Sequence, residues 1–131
     1  MIVADTSAVL AALVMRPVDE NLMARIDEGG EIHAPYLIDV EFVHALRRLV
    51  RNRDLSEDRA NDARADFVDL AVVRYPHHPF IDRMWELRHN LSAYDSAFVA
   101  LSEGLGVPLI TCDSRLAGSA GHAAEIELFV L

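Results

Sequence analysis

A chain of 131 residues has room for one domain that buries about two thirds of its unfolded surface, and a hydrophobic content of 52% supplies the core. No apolar run approaches the roughly 18 residues of a membrane span, and the N-terminus lacks a basic stretch with a small-residue cleavage site, so we expect a soluble, cytoplasmic protein with no membrane partner. A formal net charge of −9 argues against nucleic-acid binding by bulk positive charge, and the single cysteine, Cys112, excludes an internal disulfide.

The chain opens on three apolar residues that stop at Asp5-Thr6-Ser7, which reads as a short buried strand with Asp5 at its C-terminal end. Ala8 to Met15 is then apolar and rich in helix formers, with Ser7 or Thr6 placed to cap it. After the break at Arg16-Pro17, Glu20 to Glu28 reads as a short helix ended by Gly29-Gly30, and Glu31 to Ala34 as a brief strand. Leu37, Val40, Val43, Leu46 and Val50 recur at helical spacing and predict a long helix with those residues on its buried face.

Ser56 caps a further helix from Glu57 to Ala71, and Val72 to Tyr75 is strand-like. His77-His78 lies between two prolines without a spaced partner pair and is read as a loop, leading into a helix from Phe80 to His89. Ser92 opens a helix from Ala93 to Glu103, closed by Gly104 and Gly106. Val107 to Thr111 is a buried strand ending near Asp113, followed by a turn of helix, a loop over residues 118–124 expected to be the most mobile segment, and a last strand from Ile126 to Leu131. Strands alternating with helices predict an α/β fold with a mostly parallel sheet, in one domain spanning residues 1–131.

Four acids stand apart. Asp5 and Asp113 end apolar strands, on the edge where open α/β sheets build sites; Asp95 follows Ser92 by three residues; Glu41 lies on the long helix beside its apolar face. Each has a structural role open to it: helix cap or dipole partner for Asp5, reciprocal acid of a Ser-x-x-Asp capping box for Asp95, exposed helical side chain for Glu41. As a set they would repel one another unless a cation sits among them, and hard oxygen donors select Mg²⁺ or Mn²⁺. Such sites act mainly on phosphates, with Ser7 and Thr111 as supporting or water-positioning groups.

All twelve basic residues are arginines, and Arg47, Arg48, Arg51 and Arg53 cluster; they read either as a phosphate-gripping face or as a solvated helix surface. Trp85, Phe42, Phe67 and Phe80 are read as packing residues, with an interface role open to some of them.

Val3 to Ala8, Glu41 in a helix ending in arginine, Leu91-Ser92-Ala93-Tyr94-Asp95-Ser96 and Leu109 to Leu116 together resemble the motifs of PIN-domain ribonucleases, most of all VapC-type toxins, over essentially the whole chain. The resemblance implies a three-layer α/β/α fold, with Asp5, Glu41, Asp95 and Asp113 as the metal-binding, catalytic acids and Ser7 and Thr111 as supporting hydroxyls. It also implies an endoribonuclease that uses Mg²⁺, with Mn²⁺ as the alternative, and a homodimer held inactive by a VapB-type antitoxin. Arg47, Arg48, Arg51, Arg53 and Arg115 are the candidates for RNA contact. Ser96 departs from the alanine more usual in the family.

A phosphatase of the haloacid dehalogenase type would show Asp-x-Asp where this chain has Asp5-Thr6-Ser7, and it would use a lysine, which the chain lacks altogether; the same lack excludes a P-loop and a receiver domain. Two alternatives stay open: a PIN-like module that binds RNA or protein without cutting, and a nuclease of RNA maturation outside any toxin pair.

Overall fold

Five strands, β1 (Ile2–Ala4), β2 (Ile32–Pro35), β3 (Val72–Tyr75), β4 (Leu109–Thr111) and β5 (Ile126–Leu128), pair into one sheet in the computed structural model, which describes residues 1–131. All four pairings are parallel, in the order β3-β2-β1-β4-β5. The three inner strands are buried along their whole length and the two edges are not, as expected of a sheet covered on both faces.

Helices α1 (Thr6–Val14) and α2 (Glu20–Gly29) connect β1 to β2, and α3 (Leu37–Arg51) and α4 (Glu57–Asp69) connect β2 to β3. The chain then runs through a 3₁₀ turn (His78–Phe80), α5 (Ile81–Glu86) and α6 (Ala93–Leu105) before β4, and α7 (Ser114–Ala117) precedes β5. Right-handed crossovers put the helices before β3 on one face and those after it on the other, because the chain steps outward from β1 to β3 and then crosses back to β4. The result is the expected three-layer α/β/α arrangement around a parallel sheet.

Helix α6 is apolar nearly all round, and its residues from Ser96 to Ser102 are all buried. Gly106 ends it in the left-handed conformation, with φ 66°, and donates its N–H to the Ser102 and Glu103 carbonyls. On the opposite face Phe42 of α3 stacks on Phe67 of α4 with ring centroids 4.1 Å apart.

That stack corrects the expected buried face of α3. The helix buries Ile38, Phe42 and Leu46; of the expected row Leu46 is buried, Leu37 and Val50 are half-buried, and Val40 and Val43 are 70% and 60% exposed. A phenylalanine ring removes more apolar area from water than a valine, so Phe42 and its i±4 neighbours take the inner position and the valine row turns outward. Trp85 is the second correction: it is 66% exposed, with the Arg88 guanidinium lying 4.4 Å over its ring, whereas Phe42, Phe67 and Phe80 do pack on the core. The segment expected as one helix from Phe80 to His89 is shorter and divided, and the last strand stops at Leu128.

His77 has a defined structural role within its loop: its Nε2 accepts the Leu37 N–H at 3.0 Å and so satisfies an orphan donor at the start of α3. Within the loop over residues 118–124 the Ala123 N–H donates to Glu103 Oε2 at 2.8 Å. The same Glu103 receives a two-pronged ion pair from Arg83. No helix is long and apolar enough to cross a membrane.

Candidate functional site

The strand order reverses at β1, which has β2 on one side and β4 on the other, and a crevice opens there beyond the carboxyl ends of the strands. Val3 pairs with Leu109 and Ala4 with Ile110, so the residues that leave the two strands, Asp5 and Thr111, emerge side by side.

Asp5 is 6% exposed and every oxygen of its carboxylate is engaged. Its Oδ1 accepts the Ser7 hydroxyl at 2.6 Å and the Ala8 N–H at 3.0 Å, and its Oδ2 accepts the Thr111 hydroxyl at 2.5 Å. Asp5 itself, not Thr6 or Ser7, is therefore the N-cap of α1, and the two readings of this residue are compatible: the cap fixes the carboxylate that faces the crevice. Ser7 and Thr111 extend the lattice. Ser7 Oγ accepts the Cys112 N–H at 2.9 Å, and Thr111 Oγ1 accepts the Asp113 N–H at 3.0 Å.

Asp113 caps α7 by accepting the Arg115 N–H at 2.9 Å. Asp95 sits in the first turn of α6, where its backbone N–H donates to Ser92 Oγ at 3.1 Å, the forward half of the anticipated capping box. Three helix starts thus deliver three carboxylates to one rim. Glu41 comes from the middle of α3 and is half-buried; its Oε1 accepts the Thr6 hydroxyl at 2.6 Å. Sequence reasoning missed Thr6, and the signal was available: a hydroxyl directly after the strand-ending acid, on the first turn of the helix that follows.

The carboxylates act on one another electrically. Burial is the main force raising the Asp5 carboxyl above its ordinary range, against its three hydrogen bonds, and the charge of Asp95 adds to it. Burial likewise raises Glu41, with the charges of Asp95 and Asp5 in support, and raises Asp95, with the charge of Asp113 in support. Burial and the Asp5 and Asp19 charges push the Cys112 thiol up to about 11. Such a cluster of reluctant anions holds unfavourable charge that a cation would relieve.

The donors fit a hard divalent cation: all are carboxylate or hydroxyl oxygens, with no sulfur or imidazole among them. No three His, Cys, Asp or Glu side chains are drawn together as a ready coordination shell.

The arginine cluster divides. Arg47, Arg48, Arg51 and Arg53 are all exposed, but only Arg48 lines the groove that contains Glu41. Arg47 and Arg51 line a different groove, between α3 and α4, together with Arg64. Arg53 follows the helix in the left-handed conformation, with φ 61°. Arg115 stands at the crevice rim, its Nε 3.7 Å from Asp113 Oδ1 and its side chain 91% exposed.

The PIN domain family matches residues 2–121. The chain is 44% identical over 128 residues to Ribonuclease VapC12 of Mycobacterium tuberculosis, covering 98% of each protein, and 41% identical over 127 residues to Ribonuclease VapC1 of the same organism, covering 96% of each. The crystal structure of PAE2754 from Pyrobaculum aerophilum superposes with a TM-score of 0.67 at 20% identity, covering 95% of this chain and 82% of that one, which bears on the fold alone. With an ordered set of carboxylates at the switch point of such a sheet and relatives of this identity along its whole length, the chain belongs to the PIN-domain family and, within it, to the VapC-type ribonucleases.

Proposed function

We propose that the protein is an endoribonuclease toxin that cleaves RNA phosphodiester bonds with Mg²⁺ or Mn²⁺ held by Asp5, Asp95, Asp113 and Glu41. The observation that carries this reading is the convergence of Asp5, Asp95 and Asp113 from three helix starts with Glu41 from α3. Burial raises Asp5, Glu41 and Asp95 there; the Asp95 charge adds to Asp5 and Glu41, and the Asp113 charge adds to Asp95. When bound, a divalent cation supplies a water made acidic enough to attack at neutral pH and neutralises the charge that builds on the phosphate.

The chain's own residues do the remaining work. Ser7 and Thr111 lock Asp5 in one orientation, and Thr6 holds Glu41 toward the same crevice. Arg48, in the groove with Glu41, and Arg115, beside Asp113, meet the phosphates that flank the scissile bond, with Arg47, Arg51 and Arg53 as outlying contacts. VapC membership supports a VapB-type antitoxin as the inhibitor and a homodimer as the assembly.

The test is cleavage of total bacterial RNA by the purified protein with Mg²⁺, with Mn²⁺ and with chelator, beside an Asp95→Asn variant prepared identically. Discrete fragments that need metal and vanish in the variant are the expected result, and their mapped ends identify the target. Intact RNA throughout, from folded protein free of antitoxin, would assign the chain to the non-cutting RNA- or protein-binding module instead. A small antitoxin gene beside this one separates a toxin from a nuclease of RNA maturation.

A further inference from the structure

A groove of about 570 Å³ runs from the carboxylate crevice along α3. Helix α3 supplies Val40, Glu41, His44 and Arg48, while Thr6 and Tyr94 enter from the starts of α1 and α6. Its volume is in the range of sites that take a small molecule, roughly 300–1,000 Å³.

Tyr94 is 62% exposed although it immediately precedes the half-buried Asp95, and Val40 beside the same groove is 70% exposed. Neither side chain is needed for the core. An exposed aromatic face next to an aliphatic wall is the arrangement that sandwiches a planar base, and base stacking on an aromatic ring tolerates any sequence. Farther along, Arg48 supplies a forked cation and His44 a hydrogen-bond donor, a pair suited to a phosphate rather than to an apolar side chain. Glu41 and Thr6 at the inner end are joined by a 2.6 Å hydrogen bond and belong to the crevice already described. The groove offers no sheet edge on which a peptide backbone could pair, since helices supply the whole of its lining.

We infer that this groove is a nucleotide subsite for single-stranded RNA: the base next to the scissile phosphodiester stacks on Tyr94 against Val40, and the phosphate beyond it is held by Arg48 with His44. Duplex RNA is excluded, because its paired bases are already stacked and present no free face. The inference rests on the nuclease reading and adds a substrate-binding residue, Tyr94, which selects single strand over duplex and makes no hydrogen bond to Asp5 or the other carboxylates.

The test measures binding apart from cleavage. In the Asp95→Asn background, which prevents cutting, fluorescence anisotropy follows a fluorescein-labelled mixed-sequence RNA decamer, the same strand in duplex form, and displacement of the strand by inorganic polyphosphate, a polyanion without bases. Tyr94→Ala should weaken binding of the single strand about tenfold or more, while Tyr94→Phe stays within about twofold of the parent. Polyphosphate affinity should be the same in all three, and Arg48→Ala should weaken both probes. With Asp95 restored, Tyr94→Ala should raise KM for total RNA and leave kcat nearly unchanged.

Unchanged affinity of Tyr94→Ala for the single strand would overturn the subsite and leave the groove to a peptide partner. An equal loss on polyphosphate would overturn it also, by showing a general effect on charge. Failure of the nuclease reading is a different outcome, in which the protein with Asp95 intact cuts no RNA at all.

Discussion

The hydroxyl of Thr6 donates a 2.6 Å hydrogen bond to Glu41 Oε1 across a sequence separation of 35 residues, and so couples the first turn of α1 to the middle of α3. The bond opposes the burial that raises the Glu41 carboxyl, and it aims that carboxylate at the crevice rather than at solvent. Thr6→Val keeps the shape and removes the donor. Cleavage should fall by about 10- to 100-fold, the range for groups that orient a metal-binding side chain, with more Mg²⁺ needed for half-maximal rate. Thr6→Ser should restore most of the activity, and an active Thr6→Val would show that Glu41 needs no guide.

Asp95→Asn should make the metal-free protein more stable at neutral pH. The folded carboxyl titrates above its ordinary 3.8 because of burial and the Asp113 charge, so the folded state holds the proton more tightly than the unfolded chain. Stability is therefore lost as pH rises through the window above 3.8, and a neutral amide avoids that loss. The Ser92 cap survives, because it is the Asp95 N–H that donates. The dipole of α6 works the other way by about 0.3–1 kcal/mol, which reduces the net gain. Urea unfolding in chelator checks this, and the difference between the proteins should disappear below pH 4.

Asp5 will behave differently from Asp95. Asp5→Asn can still cap α1 through its carbonyl, but its amide meets the Thr111 hydroxyl with a donor where an acceptor stood, so any relief of charge is offset. Asp5→Ala loses the cap and deprives the Ser7 and Thr111 hydroxyls of the carboxylate that accepts from both, at a cost of about 2–3 kcal/mol. Thermal unfolding of the two variants should rank Asn well above Ala, and equal melting temperatures would remove the capping role.

Cys112 reports on the crevice without any RNA. Its thiol is pushed up to about 11 by burial and by the Asp5 and Asp19 charges. Alkylation should be very slow at pH 8 and should rise about tenfold for each added pH unit, because the thiolate is the nucleophile. Mg²⁺ should accelerate it by offsetting the Asp5 charge, and Asp5→Asn should remove the acceleration. Alkylation indifferent to Mg²⁺ would place the cation away from Asp5.

The four arginines of α3 and its end should not be equivalent. Arg48→Ala should reduce the salt dependence of RNA binding by about 0.7 in log–log slope, the value for one phosphate contact on a single strand. Arg47→Ala and Arg51→Ala, which line the groove on the far side of α3, should change it much less. Equal effects from all would mean that RNA wraps around the helix.

Much of this was legible in the sequence. Apolar runs that end at Asp5 and Asp113 located β1 and β4, and Ser-x-x-Asp located the start of α6, because strand burial and capping are local rules. The inward face of α3 was not legible: its valine row and its Ile38-Phe42-Leu46 row have the same period, and only the Phe67 ring on α4 selects between them. Trp85 failed for a similar reason, since an aromatic on a short helix carries no mark of whether a neighbour covers it. The link from Thr6 to Glu41 depends on how α1 and α3 pack together, and no spacing within either helix records that.

The pairing of β1 with β4 also sets a schedule. Asp5 lies 106 residues before Thr111, whose hydroxyl fixes its Oδ2, and Asp113 comes later still. Until β4 has emerged, β1 lacks one of its two neighbours and the crevice has one wall. A growing chain is thus unable to fix the Asp5 carboxylate until β4 has emerged, and a chain cut short before Leu109 keeps the first acid of the crevice without the strand that completes it.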